Sequence, residues 1–428
     1  MPANVLVFPC GSEIGLEVYR SLSQSIHFNL IGGSSTEDHG VYVYEDYISG
    51  LPFVDDDSFV ADINKIIKEK KIDFIIPAHD SVVLKLAEAS SQGNLDCEVI
   101  TSPYETCLDS RSKSRSYRLL EGVIPTPKMY SIEDLTDDMF PVFLKPDIGQ
   151  GAKGTHTAYS VEQVKTLTEA QDDLLILEHL PGQEYTIDCF TNKDGELLYS
   201  EGRARSRILN GISVNSFPVD DNRFSLLAEK INQTMVFRGV WFFQVKENAS
   251  GELVLMEVSP RIAGTMALSR ARGVNLPLLS LFDRMDLSVE ILKNDYDVTI
   301  DRALENLYSI DINPRHVYVD YDDLLIINGE INYLAIAFLY KCINKGMSIH
   351  LITKHKDDLY ESLKKYRLED IFDEVIWLKN EEEKKHNFIK EKDAIFIDDS
   401  FLERKLVKEN IGIPVFDTHT IEVLLRSV

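Results

Sequence analysis

Lys145 closes the apolar run "FPVFLK" and is followed at short range by Gly149, Gly151 and Gly154. A lysine at a strand end with a glycine loop behind it can set an ammonium and several backbone N–H groups around a polyphosphate. Further on, "WFFQVKENASGELVLMEVSPRIAGT" reads as a β-hairpin turning at Asn248–Gly251. It presents Gln244 on one strand and Glu257, Ser259 and Arg261 on the other. A carboxylate and an amide oxygen are the hard donors that magnesium takes when it also touches phosphate. Arg261 follows where a guanidinium could hold a transferring phosphoryl group. Between these motifs, "EGRARSRILNGIS" sets Arg203, Arg205 and Arg207 two residues apart, on one face of a strand. Such a row is either a cationic face for an anionic substrate or a solvated edge strand. The first reading suits the phosphate chemistry around it. Near the C-terminus, "VYVDYDDLLI" places three aspartates directly after an apolar strand, a second acidic site.

The elements that must position these groups are strands of continuous apolar character. "ANVLVFPCGSEIG", "FNLIGG" and "IDFIIPAHD" are short apolar runs ending in glycine or polar residues. They alternate with helices expected over 13–24, 57–70 and 80–91, which predicts a parallel α/β sheet. Sheets of that kind bind ligands beyond the C-terminal ends of their strands. Gly11, Gly15, His79 and Asp80 are therefore candidate edge residues of a small-molecule site. The plainer alternative makes the glycines tight turns and Asp80 a helix cap. The spacing G-x-x-x-G is not a dinucleotide fingerprint, so NAD is not inferred.

Composition narrows the partners. The 428 residues suffice for two to four domains, and 44% apolar with 27% charged residues is ordinary for a globular chain. Lys plus Arg is 45 and Asp plus Glu is 70, so the net charge is 45 − 70 = −25. That field repels nucleic acid and anionic membranes, and any phosphate site must be built locally. No apolar stretch approaches a membrane span, and no targeting pattern opens the chain. Cysteines 10, 97, 107, 189 and 342 are scattered without a C-x-x-C pair, which reads as reduced thiols in a cytoplasm.

Taken in order, the motifs of residues 1–307, most specifically 141–275, resemble the ATP-grasp superfamily, in the branch like the carbamoyl-phosphate-synthase large chain. The resemblance implies a Rossmann-like domain over 1–108 and an ATP-grasp domain over 109–307, with ATP and magnesium as cofactors. It implies that Lys113 and Lys145 bind ATP phosphates, with Arg111 competing for the first role, and that the loop Gly149–Gly154 closes over them. Glu178 and the backbone at Leu180 would hold the adenine and Glu184 the ribose. Gln244, Glu257 and Ser259 would face magnesium, and Arg261 the γ-phosphate and the reacting carboxylate. Gly11, Asp80, Arg203, Arg205 and Arg207 remain for substrate. The implied reaction activates a small-molecule carboxylate as an acyl phosphate for attack by an amine, or stops at a phosphorylated product. Two departures stand out. Serine replaces asparagine in Glu257-Val-Ser-Pro-Arg261, and Lys113 follows serine where an aspartate is usual. Monomer and homodimer both stay open.

From about residue 313 to 428 the pattern restarts. "VYVDYDD", "MSIHLITKH" and "DAIFIDDSFLER" resemble the haloacid-dehalogenase-like phosphohydrolases, a doubly wound parallel sheet. The resemblance implies Asp320 as nucleophile, Asp322 as general acid/base and Thr353 as phosphate-binding hydroxyl. Lys385 is the expected lysine, with Lys384 the runner-up. Asp398 and Asp399, with Asp320 and Asp322, would hold magnesium. Leu324 stands where threonine or valine usually follows, which leaves catalysis or a non-catalytic docking role open. The intervals 326–352 and 353–385 are too short for a cap domain, so a capless, open site is expected. The whole chain is thus expected to be a multidomain α/β and α+β protein.

Overall fold

The computed structural model describes residues 2–149, 151–209, 212–380 and 382–426. The chain divides into two compact units, Met1–Leu304 and Glu305–Val428. The expected domain 1–108 and all of 109–307 but its last three residues lie together in the first unit.

The first unit opens with a five-stranded parallel sheet of Ala3–Phe8, Phe28–Ser34, Asp46–Ser49, Phe74–Pro77 and Glu98–Val99. The spatial order is third, second, first, fourth, fifth. Val5, Leu6 and Val7 are fully buried, as continuous apolar runs in a two-sided sheet require. Helices Glu13–Leu22 and Asp80–Ser91 leave the first and fourth strands, capped by the side chains of Ser12 and His79. Those two strands are neighbours from which the chain winds in opposite directions, so their C-terminal ends bound the crevice of this sheet.

Two antiparallel sheets follow. One has four strands, Met129–Tyr130, Leu174–Glu178, Val142–Pro146 and His156–Ala158. The other has six, in the order Leu253–Ser259, Gly239–Glu247, Glu184–Thr191, Leu197–Leu209, Ile212–Val219 and Ile300–Asp301. The Pro181-Gly182 turn carries the chain from the first of these sheets to the second. A Cβ on Gly182 would come within 2.8 Å of the Glu247 carbonyl oxygen, a backbone approach that only glycine permits. Beneath the larger sheet, Trp241 is fully buried and stacks on Phe237 with ring centroids 4.0 Å apart. This packing holds the central strands in register.

The second unit is again a five-stranded parallel sheet: His316–Val319, Ser348–Thr353, Glu374–Trp377, Ala394–Ile397 and Val415–Phe416. Its order is also third, second, first, fourth, fifth. Between Asp320 and Thr353 stand a two-strand turn, Ile326–Ile327 with Glu330–Ile331, and the helix Tyr333–Asn344. Between Thr353 and Lys385 stand the helix Leu359–Tyr366 and the strand Glu374–Trp377. The described residues of these intervals contain no further domain. Among the described residues, no helix is long and apolar enough to cross a membrane.

Candidate functional site

Side-chain alternation on the six-stranded sheet assembles the site. Thr186 lies opposite Arg203 on one neighbouring strand and Gln244 on the other, and Gln244 lies opposite Glu257. The four therefore form one row on one face. One step along, Glu184 lies opposite Lys246, and its carboxylate bonds Arg205. One step the other way, Phe242 lies opposite Ser259.

This face and the four-stranded sheet enclose a cleft of about 200 Å³ lined by Lys113, Lys145, Glu184, Gln244 and Glu257. It continues into a pocket of about 150 Å³ bounded by Phe143, Glu178, His179, Leu180 and Lys246. On its other side it continues, past Gln244 and Glu257, into a chamber of about 390 Å³. The chamber reaches the parallel-sheet crevice at Ser12, His79 and Asp80. Gly149 and Gly151 line both cleft and chamber, and Gly154 packs on Pro146 with positive φ. Gln150, inside the expected loop, lies outside the described residues.

Two lysines meet in the cleft. Lys145 is 7% exposed, donates to the Met256 carbonyl at 3.1 Å and lies over the Tyr117 ring. Burial pulls its pKa down to about 8, with Lys113 adding repulsion and Glu257 and Glu184 opposing. Lys113 points to the carbonyls of Asp147 and Gly149 at 3.3 and 3.4 Å, and burial lowers its pKa too. Arg111 does not join the cleft. Its guanidinium reaches the Ser81 hydroxyl at 3.3 Å, in the first turn of helix Asp80–Ser91.

Several expected site residues have tighter partners than their sequence context suggested. Arg261 is gripped bidentately by Asp80 at 2.5 and 3.0 Å, and Ser259 also donates to Asp80 at 3.3 Å. Burial would raise the Asp80 pKa, yet the Arg261 charge and hydrogen bonds hold it at about 2. Glu184, expected at the ribose, is paired with Arg205, which also donates to Gln244 Oε1 at 3.1 Å. Arg203 is buried on Asp188, with contacts of 3.0 and 3.1 Å. Arg207 breaks the expected row of three. A bulge between Arg205 and Arg207 ends the alternation, and Arg207 is exposed beside Asp301. Gly11 is also outside the cavity. A Cβ there would overlap the Asp38 carboxylate at 2.1 Å, so its role is close packing. Gly15 similarly lies on the Cys10 backbone. Arg302, Lys153 and Lys246, which no motif flagged, do line the site. Arg302 reaches Glu13 at 2.8 Å, a pairing across most of the unit that local sequence could not signal.

In the second unit, Asp320 and Asp398 directly follow the first and fourth strands, side by side at the switch point. Lys385 bridges them at 2.8 and 2.6 Å, while Lys384 only precedes its turn. Asp320, Asp398 and Asp399 each offer an oxygen, all within 4.8 Å of one another. Burial, then repulsion from Asp320, pushes Asp398 up to about 7. Thr353 is fully buried, and its hydroxyl bonds Asp320. Asp322 stands apart from the acidic cluster, its carboxylate on His355 Nδ1 at 2.9 Å, with His355 Nε2 on Ser362 at 3.0 Å. Leu324 is buried in the apolar core beside Val317 and Leu339, which accounts for its apolar side chain.

Residues 170–303 match a family model described as ATP-grasp in the biosynthetic pathway with Ter operon. Among solved structures, the chain is similar to biotin carboxylase of Campylobacter jejuni in a beta-gamma-ATP complex. The identity is 13%, covering 68% of this chain and 72% of that one, with a TM-score of 0.58. N5-carboxyaminoimidazole synthetase of Staphylococcus aureus, complexed with ADP, is 14% identical over 68% of this chain and 79% of that one, with a TM-score of 0.55. L-amino acid ligase of Bacillus licheniformis is 15% identical over 66% and 73%, with a TM-score of 0.52. Comparison with curated proteins gives no significant match. The family match and these likenesses together show that the chain contains an ATP-grasp domain.

The Arg203–Asp188 pair yields a test of what is scaffold within the cavity wall. Both side chains are at most 4% exposed. Removing one partner strands the other charge in a dry setting, at a cost of about 3–5 kcal/mol. Asp188→Ala is expected to lower unfolding free energy by that amount in urea titrations. A loss below about 1 kcal/mol would show that Arg203 finds water or another acid.

Proposed function

We propose that the first unit is an ATP- and magnesium-dependent ligase that joins a small-molecule carboxylate to an amine through an acyl phosphate. The observation that carries this reading is the continuity of the three spaces. An apolar-walled pocket suited to a base leads to a lysine-lined cleft suited to phosphates, and then to a chamber large enough for further substrate. A kinase would need no room for a second reactant beyond the phosphate acceptor, so the chamber favours ligation.

The donor set fits magnesium, since Glu257 and Gln244 offer a carboxylate and an amide oxygen in direct cross-strand register. When bound, the ion would neutralise phosphate charge and polarise the transferring group. The chain's own residues do the rest. Lys113 and Lys145 balance phosphate charge in a site with little water. Arg261, fixed in orientation by Asp80, presents its remaining donors to the carboxylate. Gly149 and Gly151 line the cleft, where they would help to keep water from an acyl phosphate. A carboxylate is a poor electrophile until its oxygen is phosphorylated, and holding the partners together supplies most of the acceleration.

The second unit is proposed to be a phosphohydrolase. Asp320 supplies the nucleophilic carboxylate, Lys385 and Thr353 steady it, and Asp322 on His355 is available as acid. Magnesium would sit among Asp320, Asp398 and Asp399 and offset the charge of the phosphoryl group. Five unpaired cysteines fit a reducing cytoplasm.

Three outcomes test these readings. Each charged contact to the triphosphate is worth roughly 2–4 kcal/mol in the transition state. Lys145→Ala and Glu257→Gln should therefore each cut substrate-dependent ADP release by about a hundredfold or more. Undiminished ADP release from either folded variant would remove the ligase assignment.

The lowered Lys145 pKa adds a pH signature. In the free protein this lysine is charged below about 8 and loses its proton above that value. A bound triphosphate favours the charged form and raises the pKa again. Nucleotide affinity should thus be flat below pH 8 and weaken above it, by at most about tenfold per pH unit, with proton uptake on binding. Calorimetry in buffers of different ionisation enthalpy reads this directly, and Lys145→Arg should flatten the profile. A flat wild-type profile to pH 9.5, with no proton uptake, would deny Lys145 a place at the phosphates.

For the second unit, slow magnesium-dependent hydrolysis of an aryl phosphate is expected, and Asp320→Asn should abolish it while preserving the fold. Retained hydrolysis in that variant would exclude Asp320 as nucleophile.

A further inference from the structure

Among the described residues, the chamber's guanidinium groups sort into those matched by a carboxylate and one that is not. Arg203, Arg205, Arg261 and Arg302 each pair with a carboxylate: Asp188, Glu184, Asp80 and Glu13. Lys113 sits on backbone carbonyls at the phosphate cleft. Arg111 is different. It lines the chamber, and among the described residues its hydrogen bonding is confined to the Ser81 hydroxyl, with no carboxylate in ion-pair range. Asp80 feels its charge but is closed bidentately by Arg261.

Ser81 belongs to the first turn of the twelve-residue helix Asp80–Ser91, so this guanidinium sits against the positive end of a helix. Two like charges brought together at a cavity wall are an arrangement that an anion completes. A second feature points the same way independently. Thr186 is 1% exposed and lines the chamber, and its hydroxyl has no hydrogen-bond partner among the described residues. The hydroxyl of Ser110, next to Arg111, is likewise buried, partnerless and on the chamber wall. Buried hydroxyls are nearly always satisfied, so two orphans on residues of one cavity wall mark where a ligand's polar groups would be met.

We propose that the carboxylate substrate carries a second anionic group, carboxylate or phosphate, bound by Arg111 at the head of helix Asp80–Ser91. The hydroxyls of Ser110 and Thr186 hydrogen-bond the same substrate. This rests on the ligase reading and narrows it: the substrate is at least dianionic, with the reacting carboxylate at Arg261 and the second charge toward the parallel sheet. The pairing of the other arginines then has a use, since a chamber of free guanidinium groups would not discriminate a dianion from any anion.

The test uses the full chain saturated with magnesium and a non-hydrolysable ATP analogue, titrated with propionate, succinate and 3-phosphonopropionate. The two dianions are expected to bind at least tenfold more tightly than propionate, and the tighter of them names the second group. Arg111→Gln should erase that advantage and leave analogue affinity within about twofold. Ser110→Ala, which removes one small hydroxyl, should weaken the dianions severalfold without lowering the melting temperature. Dianions no better than propionate, or an advantage that survives Arg111→Gln, would overturn the proposal. So would weakened analogue binding in Arg111→Gln, because Arg111 would then serve the nucleotide. If the analogue itself does not bind the wild-type chain, the ligase reading falls, and this inference with it.

Discussion

The organising constraint of the first unit is the burial of positive charge. Lys145 is almost without solvent, with Lys113 repelling it, in a chain whose net charge is −25. An ammonium out of water is costly unless something negative faces it, and the fold answers in two ways. Arg203, Arg205, Arg261 and Arg302 are tied to acids, so their charge is offset and their geometry remains in use. The two lysines are given carbonyl oxygens and a distant carboxylate, which leaves their charge largely unspent. That residue of positive potential is what a polyanion would stabilise. Cross-strand register creates it, since Arg203, Thr186, Gln244 and Glu257 share a row only while Trp241 and its neighbours hold the strands in place.

The two parallel sheets repeat one topology with different furnishings. In both, the first strand lies between the second and fourth, and the chain winds away in opposite directions from that point. The crevice there is a consequence of topology and precedes any choice of side chain. In the first unit it is lined by Ser12, His79 and Asp80, groups that cap helices or orient Arg261. In the second it is filled by Asp320 and Asp398, with Lys385 held between them. Two carboxylates this close share a site only if a cation or a proton intervenes. Lys385 supplies such a cation, and the raised Asp398 expresses the same crowding of buried carboxylates.

Much of this was legible along the chain. Apolar runs ending in lysine, glycine or aspartate marked the strands, and the turn at Asn248–Gly251 marked the hairpin that carries Gln244 and Glu257. Lys145, Thr353, Lys385 and Asp398 lie where strand ends or the turn before the last motif put them. The rest was illegible because it depends on pairing across distance. Nothing near Glu13 announces Arg302, and nothing near Asp80 announces Arg261. Arg203, Arg205 and Arg207 look equivalent in sequence, but one bulge sends the third to the surface. Gly11 looked like a ligand-binding turn, yet its constraint is the Asp38 carboxylate lying where a Cβ would be. His355 escaped notice because its partners, Asp322 and Ser362, come from opposite sides of it in the chain.

The acid–arginine pairs also bear on what kind of catalyst this arrangement allows. A guanidinium held on two oxygens, as Arg261 is on Asp80, keeps its plane fixed before any substrate arrives. Reorganisation during a reaction is then small, and that is the condition under which fixed dipoles and charges accelerate group transfer. The cost is that a paired arginine attracts an anion less strongly than a free one. Affinity must therefore come from groups left unpaired, while orientation comes from groups already paired. Lys113, Lys145 and Arg111 fall in the first class, and Arg203, Arg205, Arg261 and Arg302 in the second. On the proposed ligase reading, the wall of the cavity would separate the work of capture from the work of alignment through the carboxylates paired with these arginines.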